Sequence, residues 1–286
     1  MLDERIKPTT ARYAVLGRSL PHTWSPYIHN SLFTAAGVDA VYLPITVPEE
    51  KLDSAVDVFR SCFSGFNVTI PYKEKIIPYL DEVDDAVRAC GAVNTVQIRE
   101  GRMIGHITDG LGMLRAIEER DVATECADVL ILGGGGAARV AGYEFLSRGG
   151  KVTFAVRNLE KGERLANELA DTQNDGRRRI HSCLLTENSG RHDILINCTP
   201  VGMYPNTEEM PVSEEIVSDC GAVFDAVYNP RETRLLACAA HLGIPCVEGL
   251  GMLFYQAVEA QKFWLGDCIA SETEQTRIYH ELQSKL

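Results

Sequence analysis

Three groups of residues in this chain have types and spacing suited to chemistry. The first is Asn67-Val68-Thr69-Ile70-Pro71-Tyr72-Lys73-Glu74, which carries a lysine near its end. The second is Asp109. The third is the run Gly133-Gly134-Gly135-Gly136. Hydride transfer to a ketone leaves an alkoxide that needs a proton. The ammonium of Lys73 can donate it and stabilise the charge as it develops. Asp109 can orient that ammonium and bond a substrate hydroxyl. The glycines suit a dinucleotide. Together the three groups suit the reduction of a small polar ketone.

The glycine run sits in a readable setting. Asp128 to Leu132 is an apolar strand, a helix is predicted to Arg148, and Lys151 to Val156 is the next strand. This is a βαβ unit with a G-x-G-x-x-A fingerprint. Gly133 permits the tight turn, and Gly135 lets a pyrophosphate approach the backbone. Ala138 stands where a small residue keeps helix and strand close. The helix start offers free N–H groups and partial positive charge to phosphates. At the end of the second strand, Val156-Arg157-Asn158 stands where NAD enzymes place Asp or Glu, and Lys161 follows one turn on. A guanidinium pairs with a 2′-phosphate that a carboxylate would repel, so NADP is favoured over NAD.

The elements that must position these groups alternate strand and helix, which predicts a parallel sheet in the first part of the chain. Strands are expected at Tyr13 to Leu16, Ala40 to Val47 and Gly65 to Ile70. Helices are expected from Ser25-Pro26, with Ser25 as N-cap, to Ala36, and from Pro48 to Cys62. Pro71 is expected to start another helix with Lys73 in its first turn. A lysine there is electrostatically unfavourable, which argues for a functional role. Ala92 to Ile98 and Met103 to Ile107 read as a hairpin about Glu100-Gly101. A helix follows Asp109 through Ile117. Later strands are expected at Asp193 to Asn197, Ala222 to Tyr228 and Ile244 to Val247. A turn at Gly249-Leu250-Gly251 should then lead into a helix from Met252 to about Leu265. Met252, Phe254 and Trp264 read as core. His22 and His106 read as structural or solvated. Asp171 to Arg179 reads as a mobile loop.

The chain has 286 residues and a net charge of −12, which argues against nucleic-acid binding and against an anionic membrane surface. No apolar stretch approaches the ~18 residues of a membrane helix. Met1 to Arg5 has no apolar run and does not read as a signal peptide. Nine cysteines lie scattered without a CxxC pair, which suggests reduced thiols. Cys238-Ala239-Ala240-His241 lacks a second pair, and no metal is expected. The expected location is the cytoplasm. The expected working unit is a monomer or homodimer.

Several segments resemble one family. In order they are Gly17 with His22-Thr23-Trp24-Ser25-Pro26, Asn67 to Glu74, Gly91-Ala92-Val93-Asn94-Thr95, and Thr108-Asp109-Gly110. The glycine loop to Arg139 follows, then Asn197-Cys198-Thr199-Pro200-Val201-Gly202-Met203. Asp225 to Pro230 and Gly249 to Gln256 complete the set. The chain resembles the shikimate dehydrogenase family from about residue 13 to 265.

The resemblance implies reversible NADP-dependent reduction of 3-dehydroshikimate to shikimate. It implies a split α/β substrate domain, residues 1–110 completed by 252–286. A Rossmann-type, doubly wound dinucleotide domain at 111–251 would lie between its parts, with a cleft between the domains. It implies Lys73 and Asp109 as the catalytic pair. Thr23, Ser25, Thr69, Asn94, Tyr228 and Gln256 would hold the substrate. Gly133, Gly134, Gly135, Gly136, Ala137, Arg157 and Lys161 would hold the cofactor, and Thr199, Ala226 and Gly249 would line the nicotinamide.

The chain departs from the family pattern at four positions. Thr23 stands for Ser, Ile107 for Asn, Val156 for Asn, and Ser19 for Pro. Thr23 keeps a hydroxyl but adds a methyl that restricts its rotamer. A dehydrogenase accepting quinate or using NAD is therefore an alternative. So is a ligand sensor without turnover, against which intact Lys73, Asp109 and the phosphate loop all argue.

Overall fold

The computed structural model describes residues 6–21, 23–173, 176–187 and 190–285. Met1 to Arg5, His22 and part of the Asp171 to Arg179 stretch lie outside the described residues. The chain divides into two compact units, Met1–Thr108 with Gln256–Leu286, and Asp109–Tyr255.

The first unit opens with β1 (Ala11–Gly17), whose apolar Tyr13 to Leu16 are all buried. Then come α1 (Ser25–Ala35), β2 (Ala40–Thr46) and α2 (Leu52–Cys62), the last entered through a 3-10 turn at Glu49–Lys51. Leu52, Val56 and Phe59 recur at helical spacing and form the buried stripe of α2. β3 (Gly65–Val68), β4 (Glu82–Val83), α3 (Asp85–Cys90), β5 (Thr95–Arg99) and β6 (Arg102–His106) complete this stretch.

The sheet runs β2-β1-β3-β5-β6-β4: its first three strands pair in parallel as expected, and the expected hairpin of β5 and β6 makes the sheet as a whole mixed. β1 is parallel to β2 and β3, whereas β5 is antiparallel to both β3 and β6. The cause is local. Glu100 and Gly101 both adopt positive φ, 51° and 75°, and such a two-residue turn joins antiparallel strands only.

Two expectations are corrected here. No α-helix begins at Pro71. β3 ends at Val68, and the chain passes through turns to a 3-10 segment at Ile77–Tyr79. Pro78 has no N–H to offer the Glu74 carbonyl, so a helix begun at Pro71 has too little room to propagate. Lys73 therefore sits on a turn, and the helix-dipole argument for its role falls away. Ser25 is also not the N-cap of α1. Trp24 holds that position, and Ser25 is the first helical residue.

The second unit begins with α4 (Asp109–Glu118), β7 (Asp128–Leu132), α5 (Gly136–Ser147), β8 (Lys151–Val156) and α6 (Leu159–Ala170). α7 (Gly176–Arg179), β9 (Ile180–Leu184), β10 (His192–Asn197) and α8 (Glu214–Ser218) follow. It continues through β11 (Cys220–Asp225), α9 (Arg234–His241) and β12 (Cys246–Glu248). The sheet order is β12-β11-β10-β7-β8-β9 and every pairing is parallel. β7 has β8 on one side and β10 on the other. The connection order reverses there, which is where open α/β sheets bind ligands.

β11 stops at Asp225, so Tyr228 lies three residues beyond the strand instead of at its end. Gly249 to Gly251 form no turn but open α10 (Gly249–Leu265). A Cβ at Gly249 would lie 2.6 Å from the Ala226 carbonyl oxygen, so glycine there serves close approach of backbone to backbone. α10 continues into the first unit. There the Trp264 indole stacks on Tyr13 and donates to the Val96 carbonyl at 3.0 Å. α11 (Glu272–Gln283) ends the chain. No helix among the described residues is long and apolar enough to cross a membrane.

Candidate functional site

In the second unit a cavity of about 640 Å³ opens above the ends of β7, β8 and β10. Gly133, Gly134, Gly135, Arg157, Lys161 and Thr199 all line it. Gly133 holds φ +106°, a conformation that favours glycine, and donates to the Ala155 carbonyl. A Cβ there would lie 3.1 Å from Thr199 Cγ2, so the first glycine also lets β7 and the β10 loop meet. At Gly135 and Gly136 a Cβ would meet nothing within 4 Å. These positions, with exposed Ala137, are the open start of α5. Ala138 is fully buried behind them.

The charged wall is built by the next helix. Asn158 accepts from the Lys161 N–H at 2.9 Å and caps α6, which fixes Arg157 just before the cap and Lys161 in the first turn. Both cations are exposed, and neither has an ion-pair partner among the described residues. Two unpaired cations beside an open glycine loop suit a ligand with a pyrophosphate and a further phosphate.

The opposite wall rests on a buried polar lock. Asp225 is fully buried and accepts from Thr233 Oγ1 (2.6 Å), Asn197 Nδ2 (2.9 Å) and the Val227 N–H (3.0 Å). Burial pushes its pKa up, and the three donors pull the other way. Asn197 Oδ1 in turn accepts from the Thr199 N–H and hydroxyl. The Thr199 hydroxyl proton is thus directed to Asn197, and Thr199 offers the cavity its methyl or an acceptor. Burial pushes the neighbouring Cys198 thiol up to about 12, so it is no thiolate nucleophile. Ala226 and Gly249 pack against each other but do not line the cavity.

In the first unit Asn94, one of the expected site residues, belongs to a buried hydrogen-bond network. The Tyr42 hydroxyl donates to Asn67 Oδ1 at 2.7 Å, and Asn67 Nδ2 donates to the Asn94 carbonyl and to Thr95 Oγ1, both at 3.0 Å. Burial raises the Tyr42 phenol pKa well above its ordinary value, and the Ser25 hydroxyl partly offsets this. Asn94 Oδ1 accepts from the Thr108 N–H at 2.8 Å, and its Nδ2 donates to Thr108 Oγ1. Asn94 therefore anchors the residue just before Asp109. Ser25 receives no N-cap role but reaches Thr23, whose hydroxyl accepts from the Ser25 N–H at 3.4 Å.

The turn carrying Lys73 is fixed on both sides. Thr69 donates its N–H to the Leu16 carbonyl, and its methyl packs against Gly17. Tyr72 is buried and donates its hydroxyl to the Val47 carbonyl. The Lys73 carbonyl accepts from the Val93 N–H at 2.8 Å. Lys73 itself is half-buried, and Ile70 beside it is 77% exposed. Gln256 is buried on α10. Tyr228, expected with the substrate set, belongs to the second unit and is 40% exposed.

Sequence reasoning missed Tyr42, Asn197, Asp225 and Thr233. For Asn197 and Asp225 the available signal was a polar residue at the end of an otherwise apolar strand, and for Thr233 its position as the N-cap of α9. His106 bonds Asp84 at 2.9 Å and stacks on Phe263, which is a structural arrangement.

A sequence profile described as the shikimate dehydrogenase substrate binding domain matches residues 15–96. A shikimate dehydrogenase (NADP(+)) from Methanococcus maripaludis (strain C6) is 38% identical over 268 residues, covering 93% of this chain and 94% of that protein. A shikimate dehydrogenase solved in complex with NADP+ superposes with a TM-score of 0.84 at 36% identity, covering 96% of this chain and 97% of the other. The Thermus thermophilus shikimate 5-dehydrogenase, solved with NADP(H) and shikimate, also gives 0.84, at 30% identity and 95% and 99% coverage.

Proposed function

Because the chain belongs to the shikimate dehydrogenase family, we propose that it catalyses the reversible, NADP-dependent reduction of 3-dehydroshikimate to shikimate. The observation that carries this reading is the pair of cations, Arg157 and Lys161, without an ion-pair partner among the described residues, on the cavity beneath the open glycine loop. NADPH supplies the hydride when bound. The residues present fit it: Gly133 to Ala137 leave room for the pyrophosphate, and Arg157 and Lys161 face the adenosine 2′-phosphate.

The first unit is the substrate domain and the second the cofactor domain. Thr23 and Ser25 bond the substrate carboxylate. Thr69, Asn94, Tyr228 and Gln256 bond its hydroxyls and carboxylate. The Lys73 ammonium donates the proton that the nascent alkoxide needs, and Asp109 orients that ammonium. In the reverse direction the same nitrogen takes the proton from the alcohol. Thr199, Ala226 and Gly249 line the nicotinamide. The pinned Lys73 turn and the Asn94–Thr108 tie support these roles, because both hold a reacting group on fixed backbone. The protein acts in the cytoplasm as a monomer or homodimer on a small-molecule substrate.

The test is absorbance at 340 nm with shikimate or quinate, each with NADP+ or NAD+. Fast turnover with shikimate and NADP+ is expected. Preference for quinate or NAD+ would instead assign Thr23, Ile107 and Val156 to a changed specificity. Silence in all four mixtures, from folded protein that binds NADPH, would contradict the reading.

A further inference from the structure

The cofactor cavity has a wall that the fingerprint does not explain. Met203 and Tyr204, on the segment after β10, line it together with Arg157, Lys161 and Leu185. Ligand pockets are lined mainly by apolar and aromatic side chains, and these two stand open to solvent at this one. Met203 is 46% exposed and Tyr204 69% exposed.

The backbone beneath these side chains is fixed. The Tyr204 N–H donates to the Asn229 carbonyl at 3.1 Å, and the Met203 N–H to the Pro200 carbonyl at 3.1 Å. The Asn206 N–H donates to the Met203 carbonyl at 2.9 Å. Gly202, at φ +88°, lets the turn pass close to Thr233 and Glu209. The ring is thus presented on a held turn.

The cavity also reveals which half of a dinucleotide it receives. It includes Arg157, Lys161 and Leu185, at the ends of β8 and β9, and excludes Ala226 and Gly249. Thr199, placed above beside the nicotinamide, also lines it, so it is the part with Arg157, Lys161 and Leu185 that takes the adenosine half. Among the described residues that line it, Tyr204 is the one aromatic. The other lining residues are glycines, prolines, aliphatic and small polar side chains, Glu209 and the two cations, so Tyr204 supplies the one aromatic face among them.

We propose that Tyr204 is a cofactor-positioning residue whose ring stacks on the adenine, with Met203 beside it. This rests on the reading that the cavity holds the adenosine half of NADP. Base–aromatic stacking is insensitive to the 2′-phosphate. The base and the phosphate are therefore read by different residues, Tyr204 and Arg157.

The experiment titrates wild type, Tyr204→Ala, Tyr204→Phe and Arg157→Ala with NADPH, NADH and adenosine 2′,5′-bisphosphate, and measures kcat and KM with each dinucleotide. Tyr204→Ala should weaken all three ligands by a common factor of about tenfold, with the loss in KM and not in kcat. Tyr204→Phe should restore affinity, because the ring carries the effect. Arg157→Ala should weaken NADPH and the bisphosphate but not NADH. If Tyr204→Ala leaves bisphosphate affinity within about twofold of wild type, the proposal is overturned. A fall in kcat at unchanged affinity would also overturn it, by moving the ring to the reacting end. Wild type that binds none of the three ligands would refute the cofactor reading itself, a result distinguishable from either.

Discussion

The two units place their functional groups at the ends of sheet strands by opposite means. In the second unit the glycine loop is open: Gly135 and Gly136 have nothing within 4 Å of a Cβ position. Its cations, Arg157 and Lys161, have no ion-pair partner among the described residues. In the first unit the corresponding region is filled. Tyr42, Asn67, Thr95, Asn94 and Thr108 bond one another across β2, β3 and β5. On the proposed function, the difference follows from what each unit holds. A phosphate chain is bound by backbone N–H groups, so the protein leaves space. A small polyhydroxylated acid is oriented by side chains, and these need fixed neighbours.

Four changes would break or sharpen this contrast, and the largest is at Lys73. Lys73→Ala should lower kcat by about 10²–10⁴ if the ammonium does acid–base work. Near-normal turnover would remove that role. Gly135→Val fills the space kept for the pyrophosphate, and NADPH affinity should fall by about 100-fold while thermal stability changes little. Calorimetry and a thermal melt would check both halves.

Asn67→Ala tests the filled region. It leaves a buried phenol and a buried carbonyl without their partner and should cost about 3 kcal/mol in urea unfolding, with NADPH affinity intact. A cost below about 1 kcal/mol would mean that the network is replaceable.

The smallest effect concerns His29, which is fully buried against Tyr42 and whose ring centroid lies 4.2 Å from the tyrosine's. Burial lowers its pKa from 6.5 to about 3. The folded state therefore keeps it neutral, while the unfolded chain takes up a proton below 6.5. This contribution is fully present above that value and is lost as pH falls toward 3. Between pH 7.5 and 5 it should remove about 2 kcal/mol of stability from wild type. His29→Phe should lose that much of the pH dependence. An unchanged slope would mean that the imidazole is solvated.

The second unit is the more legible in the sequence. Its strands are continuous apolar runs, and its glycines, Arg157 and Lys161 stand at fixed offsets from them. Those signals are local. The first unit departs from its sequence reading where the outcome depends on distant partners. The hairpin at Glu100-Gly101 is readable, but the antiparallel pairing of β5 with β3 that makes the sheet mixed is not. Pro71 resembles a helix start, yet Pro78 denies the helix its length. Asn67 stands in the leading motif, but its bond to Tyr42 spans 25 residues and no periodicity reports it. The Asp225–Asn197–Thr199 lock is equally hidden. Its partners come from adjacent parallel strands whose register the sequence does not display.

The most direct test of the division of labour is an NADPH titration of Lys73→Ala beside its turnover. The account predicts a dissociation constant within about twofold of wild type together with the large loss in kcat. A loss of NADPH affinity as large as the loss of turnover would contradict it, because Lys73 would then serve the cofactor and not the proton.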